Sequence, residues 1–280
     1  MTIGKSSPAA RGDRLGFVSL VGAGPGDPEL LTLKAARRLA EADLLLYDGL
    51  VPPEVTALAT RAQHFSVSKR AGRPAVDQDT IHQVMIRGAR RGKRVVRLKN
   101  GDPFLLGRGG EEALALRAAG IPFEVVPGIT AAVAAPALSG IPVTHRGLAA
   151  GFAVVSGHAA GAFEPILGAV VPGSMTVIVL MGLRNRERIA ATLLDRGWDP
   201  RTPAAVALAA STPRMHLWTG LLGELGTARL EAPADAPGTI VVGEVANLSA
   251  LIGGTRTPAR TADAGAPRTL DGPREQARNV

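Results

Sequence analysis

The 280 residues carry a formal net charge of +8, no cysteine, 46% hydrophobic residues and only 3% aromatic ones. Without cysteine there is no disulfide framework, thiolate metal site or cysteine nucleophile; no apolar run reaches the roughly 18 uninterrupted residues of a membrane helix; and so few aromatics argue against a stacking platform for single-stranded nucleic acid. The length suffices for two compact domains or one large one, and the positive excess suits an acidic substrate or nucleic acid as well as plain solubility.

At the N-terminus, Lys5, Arg11 and Arg14 ahead of Leu15-Gly16-Phe17-Val18 faintly imitate a secretion signal. Those apolar residues are needed instead as a strand, and residues 1–14 read as a disordered extension. The strand, 17–21, empties into Gly22-Ala23-Gly24-Pro25-Gly26-Asp27-Pro28. Three glycines let backbone approach a ligand, Asp27 can cap a helix, and Pro28 suits its first turn. A dinucleotide fingerprint requires a third glycine three residues after the second, whereas the spacing here is Gly22-x-Gly24-x-Gly26. Further strands are predicted at 44–47, 64–67, 95–98 and 123–126, alternating with helices at about 28–41, 54–60, 78–91 and 109–119, the pattern of a parallel sheet with helices on its faces. The glycine-aspartate-proline turn returns as Gly101-Asp102-Pro103 after the strand at 95–98, so two strand ends could border one crevice.

After Pro127-Gly128 the composition turns to alanine, with a helix expected over 130–138 and breaks at Gly140, Pro142 and Gly147. A second group follows: strands at 152–155, 176–180, 204–209 and 240–242, and a helix over 187–194. The predicted organisation is an α/β domain over 15–130, a linker region over 131–148, a second α/β domain over 149–255, and a disordered tail over 256–280, rich in Pro, Ala, Gly, Thr and Arg. Asp48, after the apolar Leu44 to Tyr47, reads by itself first as a turn aspartate before Gly49, and second as a base at a crevice, where partial desolvation raises a carboxylate's pKa. Arg70, Arg108, Arg146 and Arg184 are candidate carboxylate partners, Arg108 foremost because Gly107 and Gly109 flank it. His145 and His158 have no carboxylate at ligand spacing, which argues against a metal.

The ordered series Val21 to Thr32, Tyr47-Asp48, Lys69-Arg70-Ala71-Gly72, Val95 to Glu112, Val125 to Thr130, Gly140 to Arg146 and Ile240 to Glu244 resembles the uroporphyrinogen-III C-methyltransferases of the tetrapyrrole methylase superfamily. The likeness spans roughly residues 17–250. It implies two α/β domains of the tetrapyrrole methylase type with S-adenosylmethionine in the cleft between them, S-adenosylhomocysteine as product and no metal. The substrate it implies is uroporphyrinogen III, an octacarboxylate for which arginine forks are natural partners. It also implies a cytoplasmic homodimer, with no nucleic acid or membrane partner, whose product feeds sirohaem, cobalamin or haem d1 formation according to the neighbouring enzymes.

Carried over by motif, Asp48 matches the proposed proton acceptor and Lys69 a proposed proton donor. Pro25, Asn100, Gly101, Asp102, Leu105, Thr130, Ala131, Met181 and Ala210 match residues lining the cofactor, although Met181 after Ile178-Val179-Leu180 reads by itself as core. The chain departs from the pattern at Ser68 and Asn100, where glycine is commoner, at Leu105-Leu106, usually a pair containing phenylalanine, and at Gly147, where aspartate is frequent. Neither end of the sequence is long enough for the dehydrogenase-ferrochelatase or synthase modules sometimes fused to this domain. Later corrin precursors or ribosomal RNA as substrate, and a nicotinamide oxidoreductase, are the alternatives; the stretch Gly107 to Glu112 favours uroporphyrinogen.

Overall fold

A computed structural model describes residues 15–68, 76–231 and 236–253. The expected disordered ends, 1–14 and 256–280, lie outside the described residues, as do Lys69 and Arg70. The chain builds two five-stranded sheets. The first contains β1 (Phe17–Gly22), β2 (Leu44–Tyr47), β3 (Gln63–Ser66), β4 (Arg94–Lys99) and β5 (Phe123–Val126), in the order β3-β2-β4-β1-β5 with every pair parallel.

Both faces of this sheet are covered, which is why β1 and β2 read as nearly continuous apolar runs. On one face α1 (Leu33–Glu41) and α2 (Pro53–Thr56) bury Ala35, Leu39 and Val55 against Val21, Leu45, Val96 and Leu98. On the other, α3 (Gln78–Arg90) and α4 (Gly109–Ala118) bury Ile81, Met85 and Leu116 against Val18, Leu20, Leu46 and Val95. Ile81 and Met85 stand four apart, so they share one helical face, and Asp77 starts α3 by accepting the Thr80 amide at 2.7 Å. The single helix expected over 28–41 is in fact two pieces. Asp27 caps a short 3-10 turn, Pro28–Leu30, then Leu31 and Thr32 extend, and the Thr32 hydroxyl accepts the Ala35 amide at 3.1 Å to begin α1.

The second sheet contains β6 (Phe152–Ser156), β7 (Thr176–Leu180), β8 (Pro203–Leu208), β9 (His216–Leu221) and β10 (Gly238–Val242), in the order β6-β7-β10-β8-β9. β6 and β7 are parallel; the other pairs are antiparallel. α6 (Ala160–Leu167), α7 (Arg186–Asp195) and α8 (Leu222–Leu225) cover one face with Phe163, Leu167, Ile189, Leu193 and Leu225. α5 (Ala131–Leu138) lies within the stretch expected as a linker and packs on β7, β8 and β10, while Ile141 joins Ala205, Val241 and Val245 in a core on that side. α9 (Leu248–Ile252) ends the described chain.

Candidate functional site

The connection from β1 runs through α1 to β2 on one side of the sheet, whereas the connection from β4 runs through α4 to β5 on the other. The adjacent strands β1 and β4 therefore meet at a topological switch point, where the loops diverge and leave a crevice. Both glycine loops open there, and they are joined: the Gly24 amide donates to the Gly101 carbonyl at 3.2 Å and the Gly101 amide to the Gly24 carbonyl at 2.8 Å. The loop after β5 closes on them. A Cβ added at Gly22 would lie 2.6 Å from the Gly101 carbonyl oxygen, and one added at Gly128 only 2.3 Å from it, so these loops pack only as bare backbone.

Asp102 fixes this arrangement. Its Oδ1 accepts the Phe104 amide at 2.8 Å and its Oδ2 accepts the Gly128 amide at 3.1 Å, bridging the second loop to the third. Thr130 caps α5 by accepting the Ala132 amide, and a Cβ added at Gly101 would lie 3.6 Å from the Thr130 Cα and 3.7 Å from the Ala131 amide nitrogen. Pro25, Asn100, Gly101, Asp102, Thr130 and Ala131 are thus brought into one set of loops, with Leu105 half-buried in the second of them.

The second sheet faces this edge with its own strand ends. Leu180 pairs with Thr239 and Leu208 with Gly238, so β7 and β8 leave the sheet at the same end and present Met181 and Ala209 to Ser211. The Ser211 hydroxyl accepts the Asp27 amide at 2.7 Å, and Gly26 lies close to Ala210 and Thr212, so the first glycine loop touches the loop after β8 directly. Met181 is not core: its side chain is 50% exposed.

Among the described residues, five non-glycine residues hold a left-handed backbone: Leu106, Arg108, Met181, Ala209 and Ser211, with φ of 54°, 60°, 58°, 44° and 69°. All five lie in loops leaving β4, β7 and β8. Such conformations cost on the order of 1–3 kcal/mol each and concentrate at ligand sites, and here they concentrate around one cleft.

Asp48 follows β2 with its side chain 32% exposed, and the Arg97 guanidinium donates to its Oδ1 at 2.6 Å. Arg97 and Lys99 stand on the face of β4 covered by α3 and α4, each 3% exposed, and both donate to Glu112 of α4, which is fully buried: Nε at 2.9 Å and Nζ at 3.0 Å to the same oxygen. Burial and then the neighbouring Arg97 charge push the Lys99 ammonium below its ordinary pKa, against the opposing pull of Glu112. This cluster was missed in the sequence, though a signal exists: two cations alternating with valine and leucine in a central strand require buried partners.

Of the candidate arginines, Arg108 is exposed and forms a two-pronged pair with Glu111, at 2.9 and 2.6 Å, which raises the arginine's pKa and lowers the glutamate's. Arg146 is exposed in a loop and Arg184 is exposed in a 3-10 turn, Leu183–Asn185, three residues beyond Met181. Among the described residues no group of three histidine or carboxylate side chains could hold a metal ion, and no helix is long and apolar enough to cross a membrane.

A crevice of bare glycine backbone at the switch point of a parallel sheet, walled by strained loops of a second sheet, defines a two-unit α/β ligand-binding protein. The chain belongs to the Tetrapyrrole (Corrin/Porphyrin) Methylases, whose family profile matches residues 18–226. Among its relatives, the uroporphyrinogen-III C-methyltransferase of Methanocaldococcus jannaschii is 43% identical over 83% of this chain and 98% of that protein. A siroheme synthase of Psychrobacter sp. is 48% identical over 84% of this chain but only 48% of that protein, so the chain spans about half the length of the siroheme synthases it matches. The solved uroporphyrin-III C-methyl transferase from Thermus thermophilus, complexed with S-adenyl homocysteine, superposes with a TM-score of 0.71 at 46% identity, covering 83% of this chain and 100% of that one.

Proposed function

We propose that the chain is an S-adenosylmethionine-dependent uroporphyrinogen-III C-methyltransferase, methylating two ring carbons in turn to give precorrin-2 by way of precorrin-1. The observation that carries this reading is the junction of the two glycine-aspartate loops with each other, with Gly128 and, through Ser211, with the second sheet. The matches to proteins of that name over nearly their whole length support it.

The cleft fits such a cofactor. Loops packed on one another as bare backbone, with exposed apolar groups at Ile129 and Met181 in the connections leaving β5 and β7, suit a ligand with a flat adenine and a polar amino-acid end. Pro25, Asn100, Gly101, Asp102, Leu105, Thr130, Ala131, Met181 and Ala210 hold it. When bound, S-adenosylmethionine supplies an electrophilic sulfonium methyl group. The protein's own part is alignment and the handling of a proton. Asp48 accepts the proton released as the methylated ring rearranges, and Lys69 serves as donor. Arg70, Arg108 and Arg146 receive substrate carboxylates; Arg108 then exchanges Glu111 for the substrate, an exchange favoured by its exposure. A cytoplasmic homodimer working without nucleic acid or membrane belongs to the same reading, by the resemblance of its motifs.

The experiment is incubation with enzymatically generated uroporphyrinogen III and methyl-labelled S-adenosylmethionine, followed by mass analysis of the oxidised product. Two transferred methyl groups are expected. Absence of transfer, together with binding of NAD and no binding of S-adenosylhomocysteine, would overturn the reading.

A further inference from the structure

The stretch Gly109-Gly110-Glu111-Glu112 places one glutamate outside and one inside. Glu111 is exposed and pairs with Arg108, whereas Glu112 is fully buried beneath the sheet's C-terminal end. Its Oε1 takes three donors: Arg97 Nε, Lys99 Nζ and, at 3.2 Å, Gln78 Nε2 from α3. A carboxylate serving two buried cations is poor evidence of stabilisation, because desolvating three charges offsets most of their attraction. What the arrangement provides is geometry.

Arg97 is the centre of that geometry. Nε reaches Glu112, Nη1 donates to the Leu98 carbonyl at 3.2 Å, and Nη2 reaches Asp48 Oδ1. All three guanidinium nitrogens are engaged on a side chain that is 3% exposed, so the fork has one orientation. Asp48, in contrast, sits at a strand end, one-third exposed, with no hydrogen bond to its Oδ2 among the described residues. A carboxylate so placed would rotate freely without its partner. With it, one oxygen is pinned and the other is left for a ligand.

We propose that Arg97 is a positioning residue, locked by Glu112, that holds the Asp48 carboxylate in the orientation from which it accepts a proton. This rests on the reading of Asp48 as proton acceptor. Arg97 acts through Asp48 and contacts neither cofactor nor substrate, and Glu112 acts one step further back, linking α4 and the second glycine loop to the aspartate that follows β2.

The test is a double-mutant cycle. Arg97→Gln and Arg97→Lys are prepared in the parent and in an Asp48→Asn background, and kcat and KM for uroporphyrinogen III, S-adenosylhomocysteine affinity and melting temperature are measured for each. In the parent, both replacements lower kcat by about a hundredfold, the scale of a misplaced reacting group. KM and S-adenosylhomocysteine affinity stay within about twofold, and in the Asp48→Asn background the further loss of kcat is also within about twofold, because the aspartate through which Arg97 acts is already gone. If Arg97→Gln does not fold, Arg97→Lys keeps the charge opposite Glu112 but cannot reach both carboxylates, and it carries the same test. A raised KM at unchanged kcat would make Arg97 a substrate contact, and losses that multiply in the double variant would make it independent of Asp48; either result overturns the proposal. Parental activity in Asp48→Asn alone would instead overturn the proton-acceptor reading on which it rests.

Discussion

The two sheets have the same number of strands and opposite interiors. β8, an interior strand of the second sheet between β10 and β9, is Pro203-Ala204-Ala205-Val206-Ala207-Leu208, buried and apolar throughout, whereas β4 at the centre of the first carries Arg97 and Lys99 into an equally buried layer. The second unit concentrates its departures from ordinary structure in backbone, at Met181, Ala209 and Ser211; the first adds buried charge. Ligand walls can be made by strained loops on an apolar platform, but a group that moves a proton needs charges held in register beneath it. On this account both units bind and only the first does proton chemistry.

Core substitutions give the largest effects and sharpen that division. Phe163→Ala in the second unit and Glu112→Ala in the first should each cost about 3–5 kcal/mol, one by leaving a cavity and the other by stranding two buried cations. Below the melting transition the folded fraction of Phe163→Ala should keep its kcat, whereas that of Glu112→Ala should lose much of it. Comparable turnover in the two would erase the distinction. Gly128→Ala should follow, costing roughly 1–3 kcal/mol and weakening S-adenosylhomocysteine binding, since its methyl would meet the Gly101 carbonyl. Asp102→Ala removes the acceptor for two loop amides; a lost cap is worth about 0.5–2 kcal/mol, and calorimetry should register that scale of weakening.

A pH titration probes the end of the first sheet remote from the cleft. Desolvation works to raise the Glu124 pKa, but hydrogen bonds from Arg38, Lys34 and Ser19 prevail and hold it at about 2, below the ordinary 4.5. Because the folded-state value is depressed, the stabilisation is complete above pH 4.5 and is lost as pH falls toward 2. In acid unfolding, Glu124→Gln should therefore be less stable at neutral pH and show a shallower decline over that interval. The smallest effect has the opposite sign: Gly110 lies inside α4 with open space where a Cβ would go, so Gly110→Ala should stabilise by about 0.4–1 kcal/mol.

Local chemistry made much of this legible. The strand-glycine-aspartate-proline pattern placed both crevice loops, because apolar runs and turn residues act over a few positions. α6 was not anticipated: Ala160–Leu167 has no capping side chain and contains Pro165. β9 was missed as well, since its residues are only partly buried and make no clean alternation. The break between Pro28–Leu30 and α1 turns on the Thr32 hydroxyl, which periodicity does not register. The charged cluster was the least legible feature, for its partners lie 15 and 49 positions apart and meet only once the sheet is assembled. The lesson is specific: cations inside a strand expected to be buried should prompt a search for their carboxylates.

The central claim, that Asp48 handles a proton and does not hold the cofactor, is tested most directly by measuring turnover and S-adenosylhomocysteine affinity on one variant, Asp48→Asn, with circular dichroism confirming the fold. Asparagine preserves size and removes the base, so kcat should fall by about 10²–10⁴-fold while affinity is unchanged. Lost affinity with turnover intact at saturation would assign Asp48 to ligand positioning, and an unaffected enzyme would make it a turn residue; either result would contradict the account.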